Sequence, residues 1–200
     1  MRIGVLGGTF DPVHNGHLKV AEETSTRLNL SGVIWIPAGQ PPLKTDQALA
    51  PAEHRLRMLH LAINGSPHFT VSTIEMERAG ASYTVDTIAE LREQVAAGDE
   101  LFFILGWDSL ARLPEWREPS RLLTMCSLVA VPRPGCPPPE LGALEESIPG
   151  ISPRVVLMDK PRIGISSTEI RDRIARNRSI RRLVPEPVGQ YIKKHKLYEC

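Results

Sequence analysis

Short apolar runs alternate along the chain with segments whose apolar residues recur at helical spacing. Residues 2–6 (RIGVL) predict a buried strand. A turn-rich stretch follows, then a helix from about Gly16 to Leu28. Residues 33–36 (VIWI) predict the second strand. A proline-rich loop, 37–52, separates it from a helix over 53–64, where Leu56, Leu59 and Ile63 recur on one face. Residues 69–73 (FTVST) predict a third strand, and 84–97 a helix with Ile88 and Leu91 inward. Residues 101–105 (LFFIL) and 127–131 (SLVAV) are apolar without alternation, as strands covered on both faces are. Residues 154–158 (RVVLM) predict a last strand, followed by helices at about 167–176 and 186–195.

Strands alternating with helices predict a doubly wound α/β fold: a mostly parallel sheet with right-handed crossovers. Ligands on such sheets bind beyond the carboxyl ends of the strands. The motif-rich turns at 7–17, 37–44, 106–108 and 132–134 all follow apolar strands, so they meet at that edge. The stretch 132–139 (PRPGCPPP) is too rich in proline for a helix or a central strand and predicts an exposed loop. One domain over 1–200 is expected, with a C-terminal helical part from about 165 to 200.

Composition narrows the function classes. The chain has 200 residues, 42% of them hydrophobic, and a formal net charge of +1. No global field points to a polyanion, and aromatics at 5% give few platforms for stacking bases, so no nucleic-acid polymer is expected. Charge is uneven: nine Lys or Arg stand between Arg171 and Lys196, against two acidic residues, Asp172 and Glu186. A phosphate site or a solvated helix face would both explain that bias. Cys126, Cys136 and Cys200 show no metal-like spacing, and free thiols are the expectation. No apolar run reaches the ~18 residues that a membrane span needs, and the N-terminal run is too short for a secretion signal. A cytoplasmic protein is expected; a homo-oligomer is compatible with the sequence.

Two motifs carry candidate chemistry. Residues 7–18 read GGTFDPVHNGHL. Gly7 and Gly8 after a strand allow a tight turn and close backbone approach to a ligand. The spacing is neither the G-x-G-x-x-G fingerprint nor a Walker loop. His14 and His17 stand at i, i+3, so a helix starting near Asn15 or Gly16 puts both rings at its first turn. Unpaired N–H groups and the positive dipole end make an anion site there, with Gly16 leaving room for a phosphate or a purine. Far along the chain, 165–171 read ISSTEIR. Ser166 and Glu169 fit a capping box, Ser167 and Thr168 fall in the first turn, and Arg171 can fork onto phosphate oxygens.

GGTFDPVHNGHL resembles the signature of the nucleotidylyltransferase superfamily that carries the H/T-x-G-H motif, and ISSTEIR its second signature, ISSTxIR. That resemblance implies a Rossmann-like fold and an ATP site. It assigns Gly8, Thr9, Phe10, His14, His17, Gly106, Asp108, Ile165, Ser166, Ser167, Thr168 and Arg171 to ATP. His14, His17 and Arg171 are its catalytic group. Magnesium is expected with ATP, and no protein ligand set dedicated to a metal is visible. Further segments, IPAGQPPLK at 36–44, SYTVDTI at 82–88, GWDSLARLPEW at 106–116 and RLVPEPVGQYI at 182–192, look like the bacterial nicotinate-nucleotide adenylyltransferases over nearly the whole chain. AMP transfer from ATP to nicotinate mononucleotide is then implied.

The chemistry of that acceptor suits named residues. Trp116 can stack on a cationic pyridinium ring. Tyr83 and Thr84 sit where a helix begins, so N–H groups there can receive the nicotinate carboxylate. Lys44 can supply a point charge to the acceptor phosphate, with Arg133 as a weaker candidate. The family loop usually reads PPHK; here Leu43 stands in the histidine place. Nicotinamide mononucleotide or phosphopantetheine as acceptor, and a nucleotide-binding module without turnover, are the alternatives that the residues leave open.

Overall fold

Six strands form one wholly parallel sheet in the order β3-β2-β1-β4-β5-β6. The computed structural model describes residues 1–40 and 49–199. The strands are β1 (Arg2–Gly8), β2 (Gly32–Pro37), β3 (Phe69–Val71), β4 (Glu100–Gly106), β5 (Ser127–Val131) and β6 (Val155–Leu157). The helices are α1 (Asn15–Leu28), α2 (Ala52–Ile63), α3 (Ile74–Glu77), α4 (Thr84–Gln94), α5 (Trp107–Ala111), α6 (Pro119–Met125), α7 (Leu141–Ser147), α8 (Ser167–Ala175) and α9 (Glu186–Lys194). Every strand and long helix expected from the pattern is present. Among the described residues, α3, α5, α6 and α7 are additional. Each spans seven residues or fewer, too short for a 3.6-residue period to declare itself.

The absence of alternation in the strands has a direct cause. Successive side chains of a strand point to opposite faces, and here both faces are covered. Val5, Phe103, Leu105, Leu128 and Ala130 enter one core, with Ile88 and Leu91 of α4. Leu6, Phe102, Ile104, Val129 and Val131 enter the other, with Met58 and Leu59 of α2, Ile170 of α8 and Val188 of α9. The buried stripe of α2 is Arg55, Met58, Leu59 and Ile63; Leu56 is only half-buried, so the stripe lies one position from the expected Leu56 face.

Strand order places the site. Chain progression reverses between β1, which pairs with β2 on one side, and β4 on the other. A crevice opens at such a switch point, at the carboxyl ends of the strands. Gly7 and Gly8 end β1 there, and Gly106 ends β4.

Candidate active site

A cleft of about 360 Å³ opens at this switch point, lined among others by Gly8, Thr9, His14, Gly16, His17 and Gly106. The second motif reaches the same cleft. Ile165, Ser166, Ser167, Thr168 and Arg171 line it too, although they stand about 150 residues away in sequence.

The two histidines cap α1. His14 is the N-cap residue, with extended backbone, and its Nδ1 accepts from the His17 N–H at 3.3 Å. His17 Nδ1 accepts in turn from the His14 N–H at 3.3 Å. This is a capping box built from imidazoles, in the place where Ser and Glu usually serve. The rings stack at 3.7 Å with 19° between planes. An Nδ1 that accepts leaves Nε2 as the ring N–H of a neutral imidazole, so each ring offers a donor. Burial, and then the Arg133 charge, pull His14 down to about 4, against the bond to its own backbone. His14 is therefore neutral near pH 7 and acts as a donor rather than as a cation. Gly16 is required by the stack: a Cβ there would lie 2.9 Å from His14 Nδ1 and 3.1 Å from Ile163.

The opposite wall is the start of α8. Ser166 is the N-cap and accepts from the Glu169 N–H at 3.1 Å. Only that half of the expected box forms, because the Glu169 carboxylate pairs with Arg173 at 2.9 Å. The Ser167 hydroxyl donates to the Pro12 carbonyl at 3.0 Å, tying α8 to the glycine-rich turn. Arg171 donates to the Asp11 carbonyl at 2.8 Å while its guanidinium lines the cleft. The Arg171 guanidinium, the two imidazoles and the start of α8 thus line one space. That set suits a polyphosphate.

A second cavity of about 300 Å³ lies beside the first, and Gly7, Gly8, Thr9, Phe103 and Trp116 line both. Its remaining walls include Ile36, Ala38, Ser82, Tyr83 and Thr84. Tyr83 is the N-cap of α4, and no side chain caps that end. The Thr84 and Val85 amides have no intrahelical partner, and Tyr83 and Thr84 line the cavity. Trp116 is half-buried and meets Phe103 edge-on at 6.1 Å.

Beneath both cavities lies a polar network that sequence reasoning missed. Arg55 is 2% exposed and donates to three backbone carbonyls: Ala38 at 2.8 Å, Thr9 at 3.0 Å and Ala50 at 3.1 Å. It thereby joins the turn after β1 to the segment after β2. Asp11, fully buried, accepts from the Tyr198 hydroxyl at 2.7 Å and lies 3.8 Å from Arg171. Burial pulls the Arg55 guanidinium down, and the Asp11 charge opposes this. The available signal was Arg55 itself, a cation placed three and four residues before the buried Met58 and Leu59.

Three of the expected residues, Phe10, Arg133 and Asp108, have protein partners of their own. The Phe10 side chain is 1% exposed; a left-handed backbone (φ 48°) turns it into the core, where it meets the His17 ring edge-on at 5.1 Å. Phe10 thus supports His17 from below. Arg133 lines the first cleft, not the second, and pairs with Asp108 at 3.0 Å. Asp108 holds Arg133 at the rim. Lys44 and Leu43 lie outside the described residues. Among those residues no group of three or more His, Cys, Asp or Glu could hold a metal.

The cytidylyltransferase-like family model matches residues 5–173. A probable nicotinate-nucleotide adenylyltransferase of Dehalococcoides mccartyi (strain ATCC BAA-2266 / KCTC 15142 / 195) is 45% identical over 198 residues, covering 99% of this chain and 97% of that protein. One of Roseiflexus sp. (strain RS-1), of the same name, is 48% identical over 196 residues, covering 98% and 97%. Among solved structures, Plasmodium falciparum nicotinic acid mononucleotide adenylyltransferase complexed with NaAD superposes with a TM-score of 0.81 at 21% identity, over 98% of this chain and 97% of that one. It supports the fold. With the HNGH and ISSTEIR motifs meeting at one cleft, the chain belongs to the nicotinate-nucleotide adenylyltransferase family of cytidylyltransferase-like nucleotidyltransferases.

Proposed function

We propose that this protein transfers AMP from ATP to nicotinate mononucleotide, giving deamido-NAD and pyrophosphate. One observation carries the proposal: two cavities of different chemistry adjoin at the Gly7-Gly8-Thr9 turn. The polar one suits a triphosphate. The more apolar one, with an aromatic wall and an uncapped helix end, suits a pyridine ring bearing a carboxylate.

In the proposed reaction an oxygen of the acceptor 5′-phosphate attacks the α-phosphorus of ATP in line. The bond from that phosphorus to the β-phosphate oxygen breaks, and pyrophosphate leaves. Positioning and charge stabilisation supply the catalysis, without a covalent enzyme intermediate. His14 and His17 donate through Nε2 toward the α-phosphate. Arg171, Ser166, Ser167 and Thr168 hold the leaving β- and γ-phosphates. Gly8, Thr9, Gly106, Asp108 and Ile165 surround the rest of ATP, and Phe10 keeps His17 in place. Trp116 stacks on the ring, the Tyr83 and Thr84 end of α4 takes the carboxylate, and Lys44 meets the acceptor phosphate. Arg133 belongs with ATP in this scheme.

Magnesium bound with ATP would neutralise phosphate charge, its ligands being mainly phosphate oxygens and water. A cytoplasmic setting is part of the proposal, and the free thiols of Cys126 and Cys136 suit it. No helix among the described residues is long and apolar enough to cross a membrane.

Pyrophosphate release, measured with ATP, magnesium and either the acid or the amide mononucleotide, tests the proposal. Turnover with the acid well above the amide is expected. Turnover with neither, despite tight ATP binding, would point to a nucleotide-binding module instead.

A further inference from the structure

The cavity assigned to a carboxylate already contains a carboxyl group. Glu75 of α3 is 9% exposed and lines that cavity with Ser82, Tyr83 and Thr84. Its Oε1 accepts from the Thr87 hydroxyl at 2.8 Å, and the Ser82 hydroxyl, which accepts from the Gln40 N–H, lines the same cavity. The same Thr87 hydroxyl lies 3.2 Å from the Tyr83 carbonyl, so this carboxyl is hydrogen-bonded to the first turn of α4. The backbone is held just as closely. The Gly39 side of the loop after β2 presses on the Glu75 carbonyl, and a Cβ at Gly39 would strike it.

Among the described residues no full countercharge is spent on Glu75. Arg78 acts on it through space but gives its ion pair to Glu90, at 2.7 Å, and a hydrogen bond to the Thr87 hydroxyl at 3.1 Å. Glu90 adds negative charge from α4. Glu115 and Arg117 line the exposed part of the cavity, where Arg117 pairs with Asp86 at 3.4 Å and lies over the Tyr83 ring. A second carboxylate brought into this space repels the first, and such a pair retains a proton.

We propose that Glu75 is a specificity-determining residue of the acceptor cavity, which binds the acid acceptor with Glu75 as the neutral carboxylic acid and takes up one proton from solvent. The inference rests on the acceptor assignment above. A neutral Glu75 removes the repulsion and tolerates a carboxylate at the α4 end. An ionised Glu75 opposes a carboxylate and accepts from the N–H of a carboxamide. One cavity thus shifts from acid preference toward amide preference as Glu75 ionises. Burial already pushes this carboxyl up from its ordinary value, against the pull of Thr87, Ser82 and Arg78. The sign follows by linkage. Affinity for the acid is full where free Glu75 is protonated, falls by at most about tenfold per pH unit above that, and levels once the bound group also ionises.

Calorimetric titration in two buffers of different ionisation enthalpy reads the proton directly. Native protein and Glu75→Gln are each titrated with the acid and the amide mononucleotide between pH 6 and 9. Protons exchanged by the shared phosphate cancel between the two ligands. The expected result is an excess proton uptake for the acid, approaching one per site, on native protein. Glu75→Gln removes that excess, keeps acid binding, and flattens the pH dependence of the acid-to-amide KM ratio. Equal uptake for both ligands on native protein overturns the inference without recourse to a variant, as does an excess that survives Glu75→Gln. Turnover of the acid with no excess uptake refutes the Glu75 role alone. Absence of any acid turnover with ATP refutes the acceptor assignment beneath it.

Discussion

Helices α1 and α4 both present their N-terminal ends to the same crevice, but they are finished differently. The end of α1 is closed by its own histidines, whose Nδ1 atoms accept from the His14 and His17 N–H groups and whose rings line the cleft. The end of α4 carries no side-chain cap among the described residues, and its Tyr83 and Thr84 line the second cavity. A capped end projects side-chain donors a full ring-length outward, where they can follow charge as it develops on a reacting phosphorus. An uncapped end offers donors fixed by the backbone, which suit a group that is only held. In the proposed reaction the contrast separates chemistry from recognition within one crevice.

Breaking the α1 end should have the largest effect. His17→Ala is expected to lower kcat by roughly 10²- to 10³-fold, the loss typical of one transition-state donor. KM for the acceptor should change little, and circular dichroism should show an intact fold. Near-normal turnover would remove His17 from the chemistry.

Acid should act on the same end through His14, whose depressed protonation gives a definite sign. The unfolded chain binds a proton there near pH 6.5 and the folded chain only near 4. The contribution is present above about 6.5 and is lost as pH falls through 4, amounting to roughly 3 kcal/mol for a shift of that size. Denaturant unfolding of native protein and His14→Asn, compared at pH 7 and pH 4.5, checks this. The native protein should lose the greater stability.

Arg171→Ala addresses the triphosphate wall. A charged hydrogen bond of about 1.5–3 kcal/mol predicts a ten- to hundredfold rise in KM for ATP. The acceptor KM should stay within a few-fold, and steady-state kinetics with each substrate varied decides it. Trp116→Ala should show the reverse and smaller pattern. Stacking of a cation on the indole is worth roughly 0.5–2 kcal/mol, a two- to thirtyfold rise in acceptor KM. An equal rise for ATP would mean that the shared wall serves both cavities alike.

Local signals survived into the structure and tertiary ones did not. The i, i+3 histidines with Gly16 between them specified a helix start, and His14 is its cap. Ser166 capped α8 as its spacing implied, but Glu169 turned to Arg173, since a neighbouring cation competes for a short acidic side chain. Arg133 stood at the end of a strand, which its sequence made plain. Which cavity it faces depends on β5 lying beyond β4 rather than beside β2, a fact of sheet order. Arg55, Asp11 and Glu75 were hidden for a related reason. A buried polar residue is recognisable only once its partners are assembled, and the carbonyls of Thr9, Ala38 and Ala50 come from three separate segments.

The division of labour is tested most directly at the first amide of α4. Thr84→Pro deletes that N–H at a position where proline suits a helix, and Tyr83 before it is already extended. KM for the acid mononucleotide should rise roughly tenfold or more, as loss of a charge-assisted hydrogen bond predicts, with KM for ATP unchanged. An unchanged acid KM, or an equal rise for ATP, would contradict the assignment of the α4 end to the acceptor carboxylate.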